Sequence, residues 1–387
     1  MKDVIREFGY YCYKGQVFFN KYDAFELALA ARDFAPAIEF KFHLPDLLVD
    51  CTVEPEASLA DLYRARAQQL REQYNYLLLM YSGGADATQV LMTFLNNGIR
   101  LDEVCTFHPL QFAKRLNGTP MPNDPLALLH EYRLAALPGL RQLSLRSPRT
   151  RIRVIDTTDG YLDDMTVWTK GLSAQRPSGG LHGLFHSIKA TSMGVELQRR
   201  ADAINRDAAV IYGVEKPYMR LIGDELFFFF SDAGRVGIQS LWQHGDQVLF
   251  RPVMFYWGDP QIVLKQVHIV KHALERNPAA VADIRKRKVN VYMTNNIPGI
   301  HLGLIYPDWD GRYQQLEKGR DEAILPAFLG KRPAGVAAER DRYYNDRYGR
   351  LALVTPLTGA AARVRLSESL TRLYSVGTLA ERPLCAG

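Results

Sequence analysis

The run Tyr76-Leu77-Leu78-Leu79-Met80-Tyr81, followed at once by Ser82-Gly83-Gly84-Ala85-Asp86-Ala87-Thr88, decides how the rest of the chain is read. A continuous apolar run without polar alternation marks a strand buried on both faces, as in a parallel sheet. The glycines behind it let the backbone turn tightly and come close to a ligand, with main-chain N–H groups turned toward an anion. Ala87 to Asn96 then reads as a helix, Asn97-Gly98 as its stop, and Glu103-Val104-Cys105-Thr106-Phe107 as the next strand. Together these segments make one βαβ unit.

Working outward, Ser58 is an N-cap for a helix reaching Tyr74, with Leu59, Leu62, Tyr63, Leu70 and Tyr74 near one face. Further upstream, Tyr10-Tyr11-Cys12-Tyr13 and Val17-Phe18-Phe19 flank Lys14-Gly15-Gln16 as a hairpin, and a helix follows Asp23. Downstream, strands are expected at Arg151 to Asp156 and Ala208 to Tyr212, a helix around Leu184 to Asn205, and another from Asp259-Pro260 through Val263, Val267, Val270 and Leu274. The polar connections Pro109 to Pro125 and Gly171 to Gly183 are long enough for lids or partner-binding loops. The alternation predicts an α/β fold. It divides into a small N-terminal α+β lobe over residues 1–56, an α/β domain over 57–275, and an α+β C-terminal region over 276–387 to which no role is assigned.

Composition narrows the class. With 387 residues, 47% hydrophobic and 23% charged, the chain buries a sizeable core and is not disordered. Its longest apolar stretches, such as Leu226 to Phe230, fall far short of the roughly 20 residues that span a bilayer. No membrane partner is expected, and a start without an apolar signal run predicts a cytoplasmic protein. Cys12, Cys51, Cys105 and Cys385 show no CxxC spacing, which argues for reduced thiols. The 9 histidines show no HExxH or HxH grouping, which argues against catalytic zinc. GxSxG, the mark of many serine hydrolases, is absent. A net charge of +6 favours anionic partners, from ATP to nucleic acid.

The segment Ser82-Gly83-Gly84-Ala85-Asp86-Ala87-Thr88 resembles the SGGxDS/T loop of the N-type ATP pyrophosphatases, the PP-loop superfamily that includes asparagine synthetase. The flanking segments resemble phage-encoded members. The resemblance implies a doubly wound parallel sheet of the HUP/PP-loop type and makes 57–275 the ATP pyrophosphatase domain. It implies that Ser82, Gly83, Gly84, Ala85, Asp86, Ala87 and Thr88 hold the phosphates of ATP, and that Asp86 binds magnesium. Thr106 and Phe107 would border the adenosine. An acidic residue inside an anion nest calls for a bridging divalent cation on physical grounds as well. Ala87 departs from the pattern, since the family carries a hydroxyl residue there.

Strand ends on the carboxyl edge of such sheets are where ligands sit. After the strand ending at Tyr212, Lys216 is a candidate to neutralise charge on the phosphates and Glu215 to share the metal, with Arg220 and Gly223-Asp224-Glu225 nearby. Lys265, Trp257 and His108 are weaker candidates, and the basic stretches Arg146 to Arg153 and Arg285 to Lys288 read first as solvated faces. The expected function is an AMP-forming, ligase-type reaction: a carboxylate or amide-type oxygen is adenylated, pyrophosphate leaves, and ammonia or an amine displaces AMP. Ala87 keeps a nucleotide-binding or scaffold protein without turnover in view, and the positive charge a tRNA-modifying enzyme. The acceptor substrate is unidentified, and a homo-oligomer remains open.

Overall fold

The structure, a computed structural model, describes residues 9–18, 21–33, 38–41, 50–108, 110–111, 131–156, 208–213, 216–230, 250–287, 300–309 and 371–380. Near the N-terminus, β1 (Tyr10–Tyr13), β2 (Gln16–Phe18), α1 (Lys21–Ala31) and β3 (Glu39–Lys41) form an antiparallel sheet of order β2-β1-β3 with one helix. Tyr11, Tyr13, Phe25, Ala28 and Phe40 give this lobe a core of its own, separate from the main one.

The main body begins with α2 (Leu59–Gln73). Ser58 caps it, its Oγ accepting from Asp61 N at 3.1 Å. The buried face is the expected one, Leu59, Leu62, Tyr63 and Leu70, with Arg66 added. Arg66 is tolerated there because its Nε and Nη2 donate to the carbonyls of Phe255 and Met254, at 3.3 and 3.2 Å.

Five strands make the central sheet: β4 (Tyr76–Met80), β5 (Glu103–His108), β6 (Arg151–Asp156), β7 (Ala208–Tyr212) and, after an antiparallel pair β8 (Tyr218–Ile222) and β9 (Glu225–Phe229), β10 (Phe250–Met254). All pair in parallel, in the order β10-β7-β4-β5-β6. The apolar residues of β4 and β7 are buried on both faces, whereas the edge strand β6 exposes Arg151, Val154 and Asp156. This explains why the two inner strands read as unbroken hydrophobic runs.

The chain steps from β4 to β5 to β6 in one direction, then returns to β7 on the opposite side of β4 and continues to β10. The strand order therefore reverses between β4 and β7, and the crevice outside their carboxyl ends is where such sheets receive ligands. Met80, Tyr212 and Met254 end flush, because Met80 pairs with Tyr212 and Tyr212 with Met254. Cys105 lies opposite Met80, so β5 runs on beyond that edge through Thr106, Phe107 and His108.

The helix α3 (Ala85–Asn96) follows β4, a π-helical stretch (Glu131–Ala136) leads into α4 (Leu137–Arg146), and α5 (Pro260–Glu275) follows β10. Helices α4, α3, α2 and α5 touch one another in that order. Asp259 caps α5 by accepting from Gln261 N at 3.0 Å, with Pro260 in the first turn where its missing N–H costs nothing. The parallel α/β sheet agrees with the sequence and is compatible with a Rossmann-like arrangement. The helix expected around Leu184 to Asn205 lies outside the described residues. No described helix is long and apolar enough to cross a membrane.

Beyond α5 come α6 (Pro278–Arg287), α7 (Ile300–Ile305) and β11 (Tyr374–Thr378), which joins β9 and β8 in an antiparallel sheet of order β11-β9-β8. Ile305, Tyr306 and Val376 belong to the main core, so the stretch after residue 275 supplies part of the same interior. Gly223 and Asp224 are the turn between β8 and β9, Asp224 is paired with Arg285, and Glu225 accepts from the Ser375 hydroxyl. Glycine and aspartate suit such a turn, the one for its positive φ and the other for its short polar side chain.

Leu78 is fully buried in the central strand, while Leu145 on α4 is 82% exposed. Leu78→Ala is expected to cost about 2–5 kcal/mol. Leu145→Ala should change stability by less than about 0.5 kcal/mol. Denaturant midpoints of the two variants check this, and equal losses would contradict the placement of β4.

Candidate functional site

The loop after β4 is built by backbone approach. Tyr81 N donates to Cys105 O at 2.8 Å, which keeps the chain beside β5 for one residue past the strand. Gly83 then adopts φ +84°, and a Cβ there would stand 2.4 Å from the backbone nitrogen of Ala136. Only glycine meets both conditions. Gly84 caps α3, and its N–H donates to Ser82 Oγ at 3.1 Å. The first helical bond runs from Thr88 N to Gly84 O at 2.9 Å. The N–H groups of Ala85, Asp86 and Ala87 thus open the helix, where no intrahelical acceptor exists and the helix dipole is positive.

On the other side the loop meets β7. A Cβ on Gly213 would lie 2.9 Å from Ala87 Cα and 3.0 Å from Asp86 O, so the end of β7 and the first turn of α3 touch backbone to backbone. Ala87 is buried in this contact at 7% exposure, which gives its small side chain a packing reason. A serine at this position would bury its hydroxyl.

Three residues further along, Lys216 crosses to the loop. Its Nζ lies 3.2 and 3.3 Å from the two carboxylate oxygens of Asp86, in a partly buried ion pair. Two residues 130 positions apart, singled out separately in the sequence, are brought together at the crevice. Glu215, the other candidate on this segment, lies outside the described residues.

The other loop residues divide. Ser82 is exposed beside the helix start, and the side chain of Asp86 is within reach of solvent. Thr88 donates its hydroxyl proton to Gly83 O at 3.1 Å and lies 3.4 Å from the Tyr81 hydroxyl. In this arrangement Thr88 braces the turn, and its only proton is not directed at a ligand. Thr106 is fully buried, its Oγ1 2.8 Å from His108 Nε2, and Phe107 packs in the main core. Both stand in the extension of β5, where they form an interior wall. His108 is buried against Tyr132 at a ring distance of 4.9 Å, a packing role.

Beneath Asp86 lies a cluster of tyrosines that sequence reasoning missed. Tyr256 donates to Asp86 O at 2.7 Å, Tyr63 donates to Ile305 O at 2.8 Å, and the rings of Tyr63 and Tyr306 stand 5.7 and 5.5 Å from that of Tyr256. Burial pushes all three phenols well up, and the Asp86 charge adds to it, so they are neutral donors at pH 7. The Tyr306 hydroxyl is buried beside Asp86 and Tyr256 without a well-formed hydrogen bond among the described residues. Gln89 on α3 holds the same segment: its Nε2 donates to Asp308 Oδ2 at 2.9 Å, and Asp308 N donates to its Oε1 at 3.2 Å. Nothing local in the sequence points to these hydrogen bonds, which join residues 170 to 242 positions apart.

Several weaker candidates lie elsewhere. Lys265 pairs with Glu54 at 2.7 Å, and Trp257 is core. Arg146 donates to Asn96 Oδ1, Arg153 pairs with Glu103 and Arg285 with Asp224, so these basic residues have internal partners. Cys105 is fully buried, its thiol donating to Glu103 Oε1 at 3.1 Å. Arg220, on β8, has a buried Nη1 without a hydrogen-bond partner among the described residues. No protein-family model matches the chain, and no curated protein matches it in sequence.

Gly83→Ala combines the left-handed backbone cost with a clash against Ala136, for an expected loss of roughly 2–4 kcal/mol. Gly213→Ala meets only the clash, for roughly 1–3 kcal/mol. Denaturation curves of both variants measure this, and wild-type stability for either would contradict the backbone contacts described above.

Proposed function

We propose that this chain is an ATP pyrophosphatase-type enzyme of doubly wound PP-loop design, which adenylates a carboxylate or amide-type oxygen with release of pyrophosphate. The observation that carries the reading is the convergence of Lys216 and Asp86 at the point where the strand order reverses. A glycine turn alone is common. A glycine turn with a lysine delivered from the neighbouring strand to its aspartate is much less so, and it supplies both charges that phosphate chemistry uses.

Each residue's role follows from what it offers. Ser82 and the N–H groups of Ala85, Asp86 and Ala87 donate to phosphate oxygens at the positive end of α3. The donor set fits magnesium through one carboxylate, Asp86, in keeping with a hard ion that shares its coordination between few protein oxygens, water and phosphate. Asp86 would hold the magnesium, which would supply positive charge against the phosphates. Lys216 turns from Asp86 toward the pyrophosphate leaving group and stabilises the charge developing there. The tyrosines beneath fix the first turn of α3, with Tyr256 holding the carbonyl of Asp86 itself. The acceptor oxygen attacks the α phosphorus, pyrophosphate departs, and ammonia or an amine then displaces AMP. Catalysis rests on positioning and charge.

A nucleotide-binding protein without turnover is the second reading. It is favoured by Ala87 and by the commitment of the Thr88 proton to Gly83 O, which together leave Ser82 as the loop's only hydroxyl free of such a role.

The test is release of AMP and pyrophosphate from labelled ATP and magnesium with panels of carboxylates and amines. Lys216→Met is expected to lower turnover on the order of 10²–10³-fold while leaving the fold intact, by analogy with removal of one charge-stabilising donor. Asp86→Asn should abolish magnesium-dependent ATP binding. Tight ATP binding without AMP under all conditions would favour the second reading, and unchanged ATP binding in both variants would reject the site.

A further inference from the structure

Away from the β4–α3 loop, α5 carries His268 and His272 one turn apart, which sets both rings on the same side of the helix. The segment 50–55 lies along that side and brings Glu54 to it. Potential ligand atoms of Glu54, His268 and His272 all fall within 4.8 Å of one another. Lys265, one turn earlier on α5, donates to Glu54 Oε1 at 2.7 Å and to Pro55 O at 2.9 Å. The other Glu54 oxygen, Oε2, stands 2.7 Å from His272 Nε2.

The surroundings of each group are ordered. His272 Nδ1 is 3.0 Å from Glu275 Oε2, while Glu275 Oε1 accepts from Ala380 N at 3.2 Å. His268 is buried, with Nε2 3.1 Å from Cys51 O. Each imidazole is therefore held through one nitrogen by a carboxylate or a carbonyl. Metal-ligating histidines are oriented in this way, the outer partner fixing tautomer and ring angle. A plain ion-pair cluster accounts for His272 between Glu54 and Glu275; beside it stands a second imidazole, buried and held by a carbonyl, with a ligand atom within 4.8 Å of those of Glu54 and His272.

We propose that His268 Nδ1, His272 Nε2 and Glu54 Oε2 form a three-ligand site for a divalent transition metal of the zinc class. Two imidazoles and one carboxylate suit such an ion, and His272, 40% exposed, leaves an outer position to water. Bonds of about 2.0–2.1 Å set tetrahedral ligand atoms roughly 3.4 Å apart, so Glu54 and His272, now 2.7 Å apart, open by roughly 0.7 Å, and the three atoms, within 4.8 Å of one another, draw in around the ion by side-chain rotation. The proton between them passes to solvent. Lys265 stays on Oε1 and keeps the carboxylate oriented. The ion would clip segment 50–55 to α5, and through Glu275 to Ala380 and Lys271 to Val376 O the same helix holds the segment around β11. The site is independent of the nucleotide reading.

The experiment uses the full chain, stripped with chelator and free of nucleotide, titrated with Zn²⁺ by calorimetry and with Co²⁺ by visible absorption. One equivalent of Zn²⁺, a raised melting temperature and the absorption of four-coordinate cobalt are expected. Glu54→Gln and His272→Gln should each weaken Zn²⁺ binding on the order of 100-fold or more, and Glu275→Gln, which touches only the outer partner, by roughly 10–100-fold. Circular dichroism establishes that each variant is folded, and a variant that is not is set aside because the wild-type cobalt spectrum and the remaining variants decide. Failure of the wild-type chain to bind either ion, or undiminished binding in folded Glu54→Gln or His272→Gln, would overturn the assignment.

Discussion

The first turn of α3 is held between two backbones, and the rest of the site depends on that. On one side Gly83 meets Ala136, and on the other Gly213 meets Ala87 and Asp86. Neither contact leaves room for a Cβ, so the turn is located by main-chain atoms, which do not change rotamer. From this follow the seating of Asp86 at the reversal of strand order, the approach of Lys216 from β7, and the direction of the opening N–H groups. The tyrosines below act on the same turn from the interior, Tyr256 by a hydrogen bond to its carbonyl and Tyr306 by packing on Tyr256.

Much of this was legible because parallel sheets write themselves as apolar runs. Tyr76 to Met80 and Ala208 to Tyr212 are buried on both faces, and a stretch with no polar alternation has few other structures open to it. The caps of α2 and α5, Ser58 and Asp259, were legible for a local reason as well, since an N-cap bonds within its own turn. Lys216 was singled out from its position just past a strand at the carboxyl edge, with no motif to mark it.

What escaped the sequence is what joins distant segments. Gln89 with Asp308, Tyr63 with Ile305, and Glu54 with His272 each unite residues more than 200 positions apart, and no short window contains both halves. The sequence also does not show that the Thr88 hydroxyl has a partner of its own within the turn. A hydroxyl near a phosphate loop looks like a ligand donor, but it has one proton, and Gly83 O is close enough to take it. That Gly223 and Asp224 turn a hairpin was not legible either, because such turns and binding loops favour the same residues.

The β8-β9-β11 sheet has a consequence for biosynthesis. Strands β4, β5 and β6 neighbour one another in both chain and sheet, so that half can pair while translation continues. Strand β9 instead waits for Tyr374–Thr378, and Phe228, which stacks on Tyr374 at 5.0 Å, has no such cover until then. On the ribosome the nascent polypeptide therefore carries a phenylalanine-rich strand without its β11 partner while the stretch between Phe229 and Tyr374 is made. That interval is the one in which it invites a chaperone or a wrong neighbour.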